Sequence, residues 1–189
     1  MVTRVDRPNF GMCIDTFNLT GRVYADPASP TGKTPNADRD MAESMQRLVE
    51  RVDADKIFFV QMGDAARLAE PIRPGHELYD AAQPARMSWS RQHRLFYGEQ
   101  HLGGYLPVKD VMVAVLRGVG YRGWVSYEIF NHRLFNTDAS IPDEMARRAA
   151  VGFDKMVKDV FGPVARPMER PADVSRSNST VWEQQVSYL

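Results

Sequence analysis

The 189-residue chain holds a single cysteine, Cys13, so an internal disulfide is excluded and a cysteine-built zinc site is disfavoured. It has no surplus of charge: 24 Lys and Arg face 24 Asp and Glu. The phosphate-neutralising excess of a nucleic-acid binder is therefore missing. No apolar run nears the ~20 residues that cross a bilayer. The opening MVTRVDRPNF lacks the apolar stretch of a secretory leader. These absences predict a reducing, cytoplasmic setting, with neither nucleic acid nor membrane as partner. What is present, 43% hydrophobic and 25% charged residues, is ordinary globular composition. Length sets a further bound. One domain of ~100–200 residues fits, whereas a complete (β/α)8 barrel takes about 250.

Along the chain, residues 8–14 and the continuous apolar run at 56–61 read as buried strands, and residues 122–130 as a third. Residues 19–38 carry Gly21, Pro27, Pro30, Gly32 and Pro35 and predict a loop, with Asp38 as N-cap of a helix whose face is Met41, Met45, Leu48, Val49 and Val52. Residues 63–107 are long and irregular. Pro107 suits the first turn of a helix that reaches Arg117 and ends at Gly118 or Gly120. A last helix starts near Ser140, with Met145, Ala149, Phe153, Met156, Val157 and Val160 on its apolar face. Strands alternating with helices predict an α/β fold with a parallel sheet. The expected division is a structured part, 1–165, and a Pro/Ser/Arg-rich tail, 166–189, disordered or loosely docked.

Each predicted strand ends in an oxygen-bearing side chain: Asp15, Gln61 and Glu128. The C-terminal ends of parallel strands face the ligand in such folds. Two carboxylates and an amide converging there make a hard donor set that suits Mg²⁺ or Mn²⁺, with Co²⁺ as a further option. A structural reading stands beside this one: Asp15 as a cap, Gln61 as a satisfied polar residue and Glu128 as an ion-pair partner. Spacing leaves both open. His93, His101 and His132 have no metal-binding spacing, and His76 stands alone. Met41, Met45 and Met156, with Trp89, Tyr105 and Trp124, are read as packing residues. Gly103-Gly104 is a turn, since no phosphate-loop motif surrounds it.

The words around these residues say more. Gly11-Met12-Cys13-Ile14-Asp15-Thr16-Phe17-Asn18 resembles the G-x-x-x-D-T-[FWY]-[HN] element of the xylose-isomerase-like TIM barrels. Phe59-Val60-Gln61-Met62-Gly63-Asp64-Ala65 is similar to the metal strand that follows it. There the 3-dehydroshikimate dehydratases place Gln and most sugar epimerases His. Trp89-Ser90-Arg91-Gln92-His93-Arg94-Leu95-Phe96 resembles the dehydratases' W-S-R-N-x-R-x-[FL] segment. Residues 103–107 and 123–131 continue the likeness, which covers residues 8–162 in order.

The resemblance implies roughly the C-terminal half of a (β/α)8 barrel. It implies Asp15, Gln61 and Glu128 as ligands of a divalent cation. It also implies Asn18, Asp64, Ser90, Arg91 and Arg94 around a small hydroxylated cyclic carboxylic acid. A planar guanidinium suits such an acid because it grips a carboxylate through two hydrogen bonds. The implied reaction takes 3-dehydroshikimate to protocatechuate by loss of water, with the cation polarising the ketone. Complete members add a metal-binding Glu and a proton-transferring His from earlier strands, and neither has a counterpart here. The expectation is therefore a shortened chain, weakly active or inactive alone. It would be completed by a longer gene product, a complementing chain or self-association, or else be a non-catalytic remnant or interaction module. A sugar isomerase or epimerase is the alternative chemistry.

Overall fold

A computed structural model describes residues 2–162, and the expected tail at 166–189 lies outside them. After a four-residue helix α1 (Val2–Val5), strand β1 (Met12–Asp15) leads directly into α2 (Thr16–Val23). Helix α3 (Ala37–Arg51) returns the chain to β2 (Ile57–Met62). Two short strands, β3 (Asp64–Ala65) and β4 (Arg94–Leu95), pair antiparallel on either side of α4 (Ala85–Gln92). Helix α5 (Val108–Val113) continues as a π-helical stretch, Ala114–Val119, before β5 (Val125–Tyr127) and the long α6 (Ile141–Phe161).

The sheet has the order β1-β2-β5, all parallel. Asp15 stands opposite Gln61, and Gln61 opposite Ser126. Glu128 lies two residues further along, so the pleat turns its side chain to the face that carries Ser126. Its N–H donates to the Met62 carbonyl at 3.1 Å, extending the ladder past the end of β5. The three predicted strand tips are thus neighbours at one end of one sheet.

Alternation along β2 sorts the two faces. Val60 and Met62 are fully buried and meet Phe17, Met41, Val111, Met112 and Val115 in the main core. Phe59 and Gln61 turn to the other face and are only half-buried. Phe58, beside the register shift between β1 and β2, is exposed, as is Trp124 just before β5 at 72%. Among the described residues β1 and β5 each pair with β2 alone. The sheet is an unclosed arc with helices packed on one side, and its other face is uncovered.

Several sequence expectations change. Residues 16–23 form a helix that takes in 19–23 of the expected loop, because Asp15 caps it and Thr16, Phe17, Thr20 and Gly21 give it a buried face. Helix α3 begins at Ala37 after its N-cap Asn36, two residues ahead of the expected Asp38 cap. Asp38 and Asp40 instead sit in its first turn, where acidic groups favour the helix dipole. The irregular segment contains α4, a polar helix anchored by Trp89, whose indole N–H donates to the Ala66 carbonyl at 2.8 Å. Trp124 is a surface residue rather than a packing one, and Phe153 is 41% exposed despite its place in the helical pattern. Gly120 does end its helix, at φ 85°, in the left-handed region that glycine tolerates. No helix among the described residues is long and apolar enough to cross a membrane.

Candidate active site

Asp15 is the last residue of β1 and also the N-cap of α2, and its two oxygens divide these tasks. Oδ1 accepts the Asn18 backbone N–H at 3.0 Å, which caps the helix. Oδ2 accepts from the Asn18 side-chain amide and, at 3.4 Å, from Arg94 Nη1. The structural and functional readings of Asp15 are therefore compatible. Glu128 meets the same guanidinium nitrogen: Arg94 Nη1 donates to its Oε2 at 2.6 Å and to its carbonyl at 3.2 Å. Gln61 lies between the two carboxylates in the sheet. Its Nε2 reaches Glu128 Oε1 at 3.5 Å, and its Oε1 accepts from the Cys13 thiol at 3.3 Å. Partial burial and the charges of Asp15 and Glu128 push the Cys13 thiol pKa up, which keeps it a donor.

Arg94 is 3% exposed, and β4 carries it into the middle of this group. Its guanidinium carbon lies 4.2 Å from the Phe17 ring centroid and 5.0 Å from that of Phe130. Ser90, four residues earlier in α4, accepts from its Nη2 at 3.1 Å. The sequence places Arg94 among substrate contacts. In the fold it is the ion-pair partner of both carboxylates.

Ser90, Arg91 and Asn18 line a cavity of about 580 Å³ between α2 and α4, with Phe17, Phe130 and Arg22 on its walls. Arg91 also donates to Gln83 at 3.2 Å. Asp64 has a different place from the one expected. It is 2% exposed, and its Oδ1 accepts from the backbone N–H groups of Ala65, Tyr105 and Leu106 at 2.7, 3.1 and 2.9 Å. It anchors the 104–106 turn, and its side chain hydrogen-bonds to none of the three strand-tip residues. Burial raises its carboxyl pKa to about 6, against the lowering effect of those amides.

Asp15 Oδ2 and Glu128 Oε2 converge on one positive nitrogen, so both oxygens already point at a place where a cation is stabilised. Among the described residues no three His, Cys, Asp or Glu side chains gather as a metal-binding group. The third donor here is an amide. Two carboxylates and an amide fit a hard divalent ion, with coordination positions left over for other oxygens. Residue types alone did not point to Phe17, Phe130 and Arg22. Phe17 lies inside the D-T-F-N element and Phe130 two residues beyond Glu128, and those positions were the available signal.

Residues 1–152 match the family model described as xylose isomerase-like TIM barrel. A 3-dehydroshikimate dehydratase of Neurospora crassa is 52% identical over 177 residues, covering 94% of this chain and 49% of the relative. One of Pseudomonas putida is 30% identical over 133 residues, covering 69% of this chain and 14% of the relative. This chain thus spans about half the length of the Neurospora protein. A solved xylose isomerase-like TIM barrel/4-hydroxyphenylpyruvate dioxygenase fusion protein superposes with a TM-score of 0.54 at 25% identity, over 84% of this chain and 19% of that one. The crystal structure of the IOLI protein with a binding zinc atom gives 0.52 at 18% identity, over 85% and 42%. The strand order, the tips gathered at one end of the sheet and a family match over most of the residues lead to one assignment: the chain belongs to the xylose isomerase-like TIM barrel family, as a part of that barrel with an unclosed sheet.

Proposed function

We propose that this chain carries the metal-binding and substrate-gripping face of a 3-dehydroshikimate dehydratase, which takes 3-dehydroshikimate to protocatechuate when the barrel is complete. The carrying observation is that Asp15 and Glu128 converge on one point next to the cavity lined by Asn18, Ser90 and Arg91. Asp15, Gln61 and Glu128 would hold a divalent cation, Mg²⁺ or Mn²⁺ before Co²⁺. Bound there, such an ion supplies Lewis-acid polarisation of a substrate carbonyl. Asn18 orients Asp15. Ser90 and Arg91 offer a hydroxyl and a guanidinium to a hydroxylated ring acid, and Arg94 backs Ser90. Phe17 and Phe130 give the cavity apolar wall surface. The 52% identity to the Neurospora dehydratase supports this substrate over a ketose.

The test uses the chain alone and the chain fused to the remaining half of the Neurospora relative, each with Mn²⁺ or Mg²⁺. Protocatechuate is followed by its ultraviolet absorbance. The chain alone is expected to give little product. The fusion is expected to turn over, and Glu128→Gln to abolish that turnover. A folded fusion that ignores 3-dehydroshikimate but interconverts ketoses would overturn the assignment.

A further inference from the structure

Arg94 has a second consequence for the same cluster. Its Nη1 occupies the point at which Asp15 and Glu128 converge, and several groups hold it there. The Phe17 and Phe130 rings both lie against the guanidinium, and Ser90 accepts from its far edge. The backbone is fixed too: Arg94 N–H donates to the Phe130 carbonyl at 3.0 Å, and the Asn131 side-chain amide donates to the Arg94 carbonyl at 2.8 Å. A guanidinium built into its surroundings in this way is more than a mobile surface charge. Two carboxylates drawn together repel unless a positive charge lies between them, and here the chain supplies one of its own.

Resting on the metal reading above, we infer that Arg94 is the internal counter-ion of the cluster. It competes with the divalent cation for Asp15 Oδ2 and Glu128 Oε2 and thereby sets how tightly metal is held. The lone pairs that accept Nη1 are those a cation would take, and a hard ion binds carboxylate oxygens closer than a guanidinium does. Metal entry therefore requires Nη1 to give up its bonds to both carboxylates. Without metal, the same bonds keep the two side chains gathered.

The inference is tested by Mn²⁺ titration of the full chain, with free ion measured by electron paramagnetic resonance. Wild type is compared with Arg94→Met, which removes the charge, and Arg94→Lys, which keeps it. Arg94→Met should bind Mn²⁺ roughly tenfold more tightly, and Arg94→Lys within about threefold of wild type. Equal or weaker binding by Arg94→Met overturns the counter-ion and leaves the metal reading standing. No binding by either protein at millimolar Mn²⁺ overturns both. If Arg94→Met does not fold, the wild-type Arg94 Nε–H resonance is followed during Mg²⁺ titration. It should shift together with the Asn18 side-chain amide, and an unmoved Arg94 signal beside a shifting Asn18 signal refutes the competition.

Discussion

Asn18 holds Asp15 at both oxygens, through its backbone N–H at one and its side-chain amide at the other. The first bond belongs to the helix and survives any substitution except proline. Only the second depends on the side chain. Asn18→Ala should therefore leave the fold within about 1 kcal/mol of wild type, since one partly exposed hydrogen bond is lost and a better helix former is gained. Divalent-metal affinity should fall several-fold, because Asp15 Oδ2 is then held only by Arg94, which a bound ion would displace. Urea unfolding and Mn²⁺ titration measure the two effects separately. A large loss of stability with unchanged metal affinity would make Asn18 purely structural.

Asp64 predicts a pH signature. Its carboxyl is raised to about 6 by burial, well above the value of an exposed aspartate. When the folded state holds the proton more tightly, its stabilising effect is complete below the unfolded pKa of about 4. That effect fades as pH rises through the folded value. Wild type should lose about 2 kcal/mol relative to Asp64→Asn between pH 4 and pH 6. Asparagine keeps the Oδ1 acceptor for Ala65, Tyr105 and Leu106 but has no proton to lose. Parallel stability curves for the two proteins would show that Asp64 does not titrate in this range.

Gly104 predicts a steric limit beside the same carboxylate. A Cβ there would stand 2.7 Å from Asp64 Oδ2 and 3.1 Å from the Glu99 carbonyl oxygen. The second obstacle is backbone and cannot rotate away. Gly104→Ala should cost about 1–3 kcal/mol, the usual range for an overpacked interior position. Thermal unfolding within experimental error of wild type would mean that the 104–106 turn yields more easily than its two amide bonds to Asp64, from Tyr105 and Leu106, suggest.

The strand tips were legible because a continuous apolar run followed by one polar side chain leaves little else for a parallel strand to be. The helix after Asp15 was not, since TFNLTGRV has a glycine inside it and draws its buried face from Thr16 and Thr20 rather than from aliphatic residues. Helix α4 escaped notice for a similar reason, with Ser88 and Trp89 its only buried positions. Asp64 and Arg94 each carry a charge that a sequence reader places near solvent or substrate. Which charges the fold buries depends on partners distant in sequence, such as the Leu106 amide and the Asp15 carboxylate, and no local pattern announces them. Trp124 failed in the opposite sense: a large aromatic beside a strand normally packs, but here it stands on the uncovered face of an unclosed sheet.

Glu99 and Arg148 tie α6 to the segment after β4, and their pairing gives an asymmetric prediction. Arg148 donates to both Glu99 oxygens, at 2.7 and 3.0 Å, and Glu99 Oε2 also accepts the Phe96 N–H at 2.9 Å. Glu99 is 7% exposed, so its charge depends on that guanidinium rather than on water. Arg148→Met keeps the aliphatic length but strands a buried carboxylate, and should cost about 3 kcal/mol. Glu99→Gln keeps a hydrogen-bond acceptor for Arg148, with no buried negative charge, while Arg148 retains Glu144 at 3.2 Å. It should cost about 1 kcal/mol. Urea denaturation of the two variants reads the difference. Similar losses from both would mean that the pair acts through shape rather than charge, because only an electrostatic origin makes removal of the arginine the worse of the two changes.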